Sequence, residues 1–327
     1  MSKTAVVILN YNGAHFLEQF LPILIQHTPN CELIVADNKS TDNSLEVLVQ
    51  FDQHISIIQL ESNFGYAGGY NQALADLTHD YFILLNSDVE VTPSWSEGLV
   101  EMLDQDQNVA AVQPKIKDYY NRSKFEYAGA AGGFIDKLGF PYCRGRIFES
   151  IEEDKGQYDD ATEIFWASGA CFIIRASVFK NVGGFDASFF AHMEEIDLCW
   201  RINNRGLKIK FQPKSSIFHV GGGTLNKQSS RKTYLNIRNN LFMLYKNLPR
   251  KDFYLVFIIR VFLDSMAAIK MGFSSGYAHG IAIFKAWFSF ITSKKIRDYK
   301  NISNPPLYPF SIVWTYYIKK LKVFNEP

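Results

Sequence analysis

Long uncharged apolar runs are missing from this 327-residue chain. Between Lys270 and Lys285 only 14 uncharged residues occur, and the 18 from Asn301 to Ile318 include three prolines. A spanning helix needs roughly 20 apolar residues, so none is expected. The start, MSKTAVVILNYNG, lacks an apolar region of signal length and a cleavage site, and reads as a first strand. Cysteine is scarce: Cys31, Cys143, Cys171 and Cys199 have neither metal-ligand nor redox spacing. That excludes a disulfide framework and points to reduced, mostly buried thiols in a cytoplasmic protein. No G-x-G-x-x-G turn follows the first strand, which disfavours a dehydrogenase. The glycine- and arginine-rich loop of a sugar nucleotidyltransferase is missing there too. No internal repeat is visible. Net charge is nearly absent at +1, yet it is unevenly placed. From Lys246 onward 13 Lys/Arg face 4 Asp/Glu, a net +9 that leaves −8 for the first 245 residues. A basic, aromatic-rich tail on an acidic body suits an anionic membrane surface.

What is present is an alternation. AVVIL (5–9), ELIVADN (32–38), ISIIQL (55–60) and YFILLN (81–86) read as strands. Between and after them AHFLEQFLPILIQH, TDNSLEVLVQF, AGGYNQALADL and PSWSEGLVEML, the last opened by Pro93, read as helices. VAAVQP closes this set at about residue 113. Such spacing implies parallel strands with right-handed crossovers, and ligands bind beyond the carboxyl ends of such strands. Residues 114–160 are poorly periodic and read as a long functional loop, with GAAGGF and RGR as its notable pieces. A helix is expected at EEIDLCWRINNRG, acidic at its start and basic at its end as the helix dipole favours. A strand follows at KIKFQP, then SIFHVGGGTL, and the chain turns helical from about 229.

Five stretches, VVILNYNG (6–13), VADNKSTDNS (35–44), SNFGYAGGYNQAL (62–74), LLNSDVEV (84–91) and WASGACFIIRASVFKNVGGFDASFFAHMEEIDLCWR (166–201), occur in a telling order. Together with FHVGGGTL (218–225) and IRNNLFMLYKN (237–247), they make residues 4–247 resemble the family-two glycosyltransferases, inverting enzymes of the GT-A fold. The closest resemblance is to the bacterial rhamnosyltransferase-like branch that builds surface polysaccharides. The resemblance implies an α/β fold: a Rossmann-like, mostly parallel sheet flanked by helices, with a C-terminal helical extension. It divides the chain into a transferase domain, 1–247, with a nucleotide-sugar half to about 113 and an acceptor half from 114, and a basic amphipathic helical tail, 248–327.

The implied chemistry assigns residues. Asn10, Tyr11, Asn12, Asp37, Asn38, Asn63, Gly65, Gly68, Asn71 and Asn86 would bind a dTDP- or UDP-sugar, Asp37 by accepting from a pyrimidine N–H. Asp88 falls on the second aspartate of the family's D-x-D motif, with Asn86 replacing the first, and His219 precedes a GGG run. These two are the expected ligands of Mn2+ or Mg2+. In the family pattern E-D-x-D the second acid is the base, which selects Glu195. Glu194 is the alternative or an acceptor contact, since adjacent helical residues point about 100° apart. Asp197, four before Arg201, reads as half of a helix-surface ion pair. Trp166, Gly169 and Arg144 would shape the acceptor site, although Trp166 equally reads as plain core.

The acceptor is expected to be a glycan or lipid-linked saccharide. The tail is expected to make the protein peripheral on the inner face of the cytoplasmic membrane, with packing on the catalytic domain or on a twin subunit as the alternative. Nucleic acid is not among the expected partners. The rival reading is a catalytically inactive paralogue acting as a membrane-associated assembly partner, which the departures at Asn86 and Glu195 keep open.

Overall fold

The structure, a computed structural model, describes residues 3–221, 229–293 and 307–324. The first third alternates as the periodicity predicts: β1 (Thr4–Asn10), α1 (Ala14–His27), β2 (Glu32–Asp37), α2 (Ser44–Val49), β3 (Ser56–Gln59), α3 (Gly65–Leu74), β4 (Tyr81–Asn86), β5 (Val89–Val91), α4 (Glu97–Gln105) and β6 (Val109–Asp118). The expected helix at Pro93 starts later, at Glu97. Pro93 lies in a turn whose Ser94 has φ 57°, and Trp95 is buried there, donating to Thr28 Oγ1.

The expected long loop, 114–160, is structured. It holds the end of β6 and four short strands, β7 (Gly133–Ile135), β8 (Pro141–Cys143), β9 (Arg146–Ile147) and β10 (Ser150–Ile151), in a small antiparallel sheet ordered β10-β9-β8-β7. Strands of two or three residues contain no full period, so hydrophobic alternation cannot announce them. Then come β11 (Thr162–Ile164), β12 (Cys171–Arg175), α5 (Ala176–Asn181), a 3₁₀ turn (Ala187–Phe189), α6 (Glu194–Asn203) and β13 (Lys208–His219).

The nine-stranded sheet runs β11-β13-β6-β12-β4-β1-β2-β3, with β5 on β13. The pairings make β1, β2, β3, β4, β6 and β13 codirectional, and β5, β11 and β12 opposed. The carboxyl ends at Asn10, Asp37, Asn86 and His219 therefore share one edge. Two buried cores sandwich the sheet, one on each face, as an α/β sheet covered on both sides requires. Sequence reading ends a strand at Pro213, but β13 continues to His219. Its register on β6 shifts between Gln212 and Ser216, so Pro213, which has no N–H to donate, falls in the irregular stretch.

The helical remainder is α7 (Ser230–Asn247), α8 (Arg250–Ser274), α9 (Tyr277–Thr292) and α10 (Ile312–Tyr317). It is fastened to the small sheet. Arg260 of α8 is buried, pairs with Asp264, and donates to the Leu138 carbonyl and to Asn240 Oδ1. Asp136, also buried, accepts from the Leu138, Phe140 and Ile312 amides. No helix among the described residues is long and apolar enough to cross a membrane. Residues 222–225 of the FHVGGGTL stretch and the basic run at 294–300 lie outside the described residues.

Candidate active site

β5 pairs antiparallel with β13, setting Val89 opposite His219. That pairing brings Asp88 to within 3.1 Å of His219 Nε2, although the two are 131 residues apart. Both are buried. Asn86 Nδ2 stands 3.4 Å from the same nitrogen, and Glu126 lies 3.4 Å behind, at His219 Nδ1. Burial opposes the imidazolium, but the charges of Asp88 and Glu126 hold His219 up at about 10. Burial likewise works against ionised Asp88, and His219 more than offsets it, keeping the carboxyl below its usual range.

A carboxylate oxygen and an imidazole nitrogen meeting at the sheet edge fit a hard divalent cation, with a carboxylate behind the histidine to orient it. Among the described residues no group of three or more His, Cys, Asp or Glu is arranged to hold a metal. Most of the coordination would therefore fall to ligand phosphate and water.

Glu194 and Glu195 open α6, and the turn before them is strained. Phe190, His192 and Met193 have φ of 65°, 72° and 72°, conformations that L-residues rarely keep unless the surroundings impose them. Here Asn239 of α7, wholly buried, donates from its amide to the carbonyls of Phe189, Ala191 and His192 at 2.8–3.0 Å. Arg238 reaches the Ser188 and Phe189 carbonyls. From the other side, the Tyr66 amide of α3 donates to Phe190 O at 2.7 Å.

The two glutamates thus sit on a clamped turn. Glu194 is buried and Glu195 half-buried, and in each Oε2 has no hydrogen-bond partner. Burial, then the neighbouring Glu195 charge, raises Glu194 well above the carboxylate range. Burial pushes Glu195 up to about 7, against the amides of α6's first turn. A carboxyl poised there suits proton abstraction near neutral pH. Asp197 differs from its expected surface role: it is wholly buried, and it binds Arg201 Nε at 2.8 Å, Lys246 Nζ at 2.9 Å and Asn247 Nδ2 at 2.9 Å.

At the ends of β1 and β2, Asn10 donates to Asp37 Oδ1, and Asp37 Oδ2 accepts from the Ser40 amide. Asn12 receives the Thr41 amide and is itself at φ 52°, beside half-exposed Tyr11. Asn38 bridges to Asn63 and to the backbone of Phe64 and Gly65. Eight of the expected donor contacts, from Asn10 to Gly65 with Asn86, therefore lie along the sheet edge and its loops.

Others are spent elsewhere. Asn71 exchanges both hydrogen bonds with the Phe185 backbone. Gly65 and Gly68 make room for protein: a Cβ at Gly65 would meet Phe190 O at 2.5 Å, and one at Gly68 would meet Phe64 Cβ at 2.9 Å. Trp166 is buried core, donating to Phe134 O, and Gly169 receives the Tyr66 hydroxyl on its carbonyl. Arg144 is buried, stacked on Tyr158 and paired with Asp160 at 2.6 Å. Sequence reading missed Glu126, Tyr66, Asn239 and Lys246. Only Asn239 had a signal, as an asparagine pair in an otherwise apolar stretch of a helix.

A family model described as Glycosyl transferase family 2 matches residues 5–183. The chain is 26% identical over 230 residues, covering 65% of this chain and 75% of the relative, to the N-acetylglucosaminyl-diphospho-decaprenol L-rhamnosyltransferase of Mycobacterium tuberculosis. Among solved structures it resembles GalNAc-T7 with UDP, GalNAc and Mn2+, at TM-score 0.59 and 17% identity, over 76% of this chain and 48% of that one. It also resembles the mannosyltransferase PcManGT of Pyrobaculum calidifontis in complex with GDP-Man and Mn2+, at TM-score 0.56 and 14% identity, over 90% of this chain and 88% of that one. Both likenesses concern the fold, which is the GT-A arrangement.

Proposed function

The chain belongs to glycosyl transferase family 2, and from that premise we propose an inverting enzyme that moves a sugar from a dTDP- or UDP-sugar to a hydroxyl of a glycan or lipid-linked saccharide. The observation that carries this is Glu195. It opens α6 on a turn clamped from two sides, half-buried, with one oxygen unpartnered and its ionisation raised to near neutrality. Glu195 takes the proton of the acceptor hydroxyl, whose oxygen attacks the anomeric carbon from the face opposite the diphosphate. The carbon–oxygen bond to the diphosphate breaks and the electron pair leaves with it.

Asp88 and His219 would hold a manganese or magnesium ion. When bound, that ion offsets charge on the departing diphosphate. Asn10, Asp37 and Asn38 hold the base and ribose end, and Glu126 orients His219. The transferase unit is 1–247. The extension faces an anionic membrane surface through apolar stripes on α8 (Ile258, Phe262, Phe273) and α9 (Ile281, Phe284, Phe288), all exposed, with Lys270 and Lys285 beside them.

The decisive experiment screens nucleotide sugars for nucleotide release by purified protein, then compares variants in single turnover. Glu195→Gln should bind donor nearly as the parent does and transfer at least ~100-fold more slowly. If Glu195→Gln transfers normally while Glu194→Gln is inactive with donor binding intact, the base is Glu194.

A further inference from the structure

The turn joining β8 to β9 carries two buried arginines, and their surroundings differ. Arg144 has a counter-ion in Asp160, although two of its nitrogens lack partners. Arg146 has none. It is 7% exposed; its Nε has no acceptor, and its Nη2 donates only to the Cys143 thiol at 3.5 Å. The guanidinium sits 4.5 Å from the centre of the Tyr127 ring. Among the described residues, no carboxylate oxygen stands within ion-pair distance of it.

The other deeply buried arginines are treated otherwise. Arg175 donates to the carbonyls of Leu103, Asp106 and Val109. Arg260 pairs with Asp264. A thiol and one aromatic face compensate poorly for taking a full positive charge out of water. An uncompensated buried guanidinium is a site prepared for an anion.

Its position says which anion. Cys143, hydrogen-bonded to Arg146, feels the charges of both Glu126 and Glu195. Glu126 is the carboxylate behind His219, and Glu195 is the proposed base. Arg146 therefore lies within electrostatic reach of both halves of the site, where a substrate's phosphate would be the principal negative charge to arrive. A guanidinium binds phosphate oxygens through paired N–H donors.

We propose that Arg146 is an anion-recognition residue that receives a phosphate oxygen of a substrate in this cleft. The phosphate comes either from the donor's diphosphate or from the acceptor. The inference rests on the glycosyltransferase reading for the substrate's identity, not for the presence of the anion site.

The test uses the full chain with inorganic pyrophosphate, UDP, dTDP and the unphosphorylated nucleosides, each with manganese, in calorimetry and thermal unfolding. Arg146→Met removes the charge at similar length, and Arg146→Lys keeps the charge without the fork. Ligand-free Arg146→Met should unfold no earlier than the parent, because no ion pair is broken. Its affinity for the diphosphates should fall about tenfold or more, the scale of a lost charge-assisted hydrogen bond, with nucleoside affinity unchanged and Arg146→Lys intermediate. If diphosphate affinity holds while KM rises for a phosphate-bearing acceptor and not for a neutral one, the phosphate is the acceptor's.

The proposal is overturned if Arg146→Met lowers the ligand-free melting temperature by several degrees with binding retained, as a purely structural arginine would. Unchanged binding and unchanged KM in both variants overturn it as well. Arg146-dependent pyrophosphate binding by a protein that transfers no sugar from any donor would uphold the anion site and remove the glycosyltransferase reading.

Discussion

Replacing Asp197 by asparagine removes one charge and almost no volume, so its cost isolates what that charge does beneath the proposed base. As an exposed i,i+4 partner of Arg201 the carboxylate would contribute only about 0.2–0.5 kcal/mol. The structure instead buries it completely between α6 and α7, with Arg201 and Lys246 on one oxygen and Asn247 on the other. In the variant an amide replaces the carboxylate that receives two cationic donors. Each charge-assisted bond contributes about 1.5–3 kcal/mol. Both cations keep other partners: Arg201 the Val182 and Gly184 carbonyls, and Lys246 the Asp186 carboxylate. The net loss should therefore be about 2–4 kcal/mol, short of the full cost of breaking a buried pair.

Urea unfolding at pH 7 measures it. Burial opposes the charge, but Arg201 and Lys246 hold Asp197 below the usual carboxylate range. Its contribution is therefore fully present above the unfolded value near 3.9 and is lost as pH falls through the lower folded value. The gap between parent and variant should narrow below about pH 4. A loss under about 0.5 kcal/mol at pH 7, or a gap that stays constant down to pH 3, would refute the reasoning.

If Asp88 and His219 share a cation with the diphosphate, EDTA should abolish transfer and manganese or magnesium should restore it. Asp88→Ala should lose at least about a hundredfold; full activity in EDTA removes this assignment. Intact protein should float with anionic vesicles at low salt. A variant with Phe262→Ser, Phe284→Ser and Phe288→Ser should not, while keeping its melting temperature, because all three side chains are exposed. Indifference of the intact protein to such vesicles would assign the stripes to a second subunit. Truncation at Lys246 is the poorer experiment, since it removes Arg260 from its contacts with Leu138 and Asn240.

The sequence by itself determined the alternating unit up to residue 118 and the edge on which its polar residues gather. Buried strands there are short β-branched runs, helices repeat at their own period, and parallel crossovers place every strand's carboxyl end on one side. It also placed Glu194 and Glu195 at a helix start, where acidic residues are locally favourable.

Tertiary structure alone decided matters in which a residue's partner is remote. Asp88 meets His219 only because β5 folds back on β13. Asp197 looks like a surface acid until α7 supplies Lys246 and Asn247, about 50 residues later. The strained turn before Glu194 is held by Asn239, and no local preference requires it. Arg144 and Arg146 are two positions apart and chemically identical, yet one has Asp160 and the other has no carboxylate. Local sequence carries propensity and period; the compensation of a buried charge depends on which distant groups the packing delivers beside it.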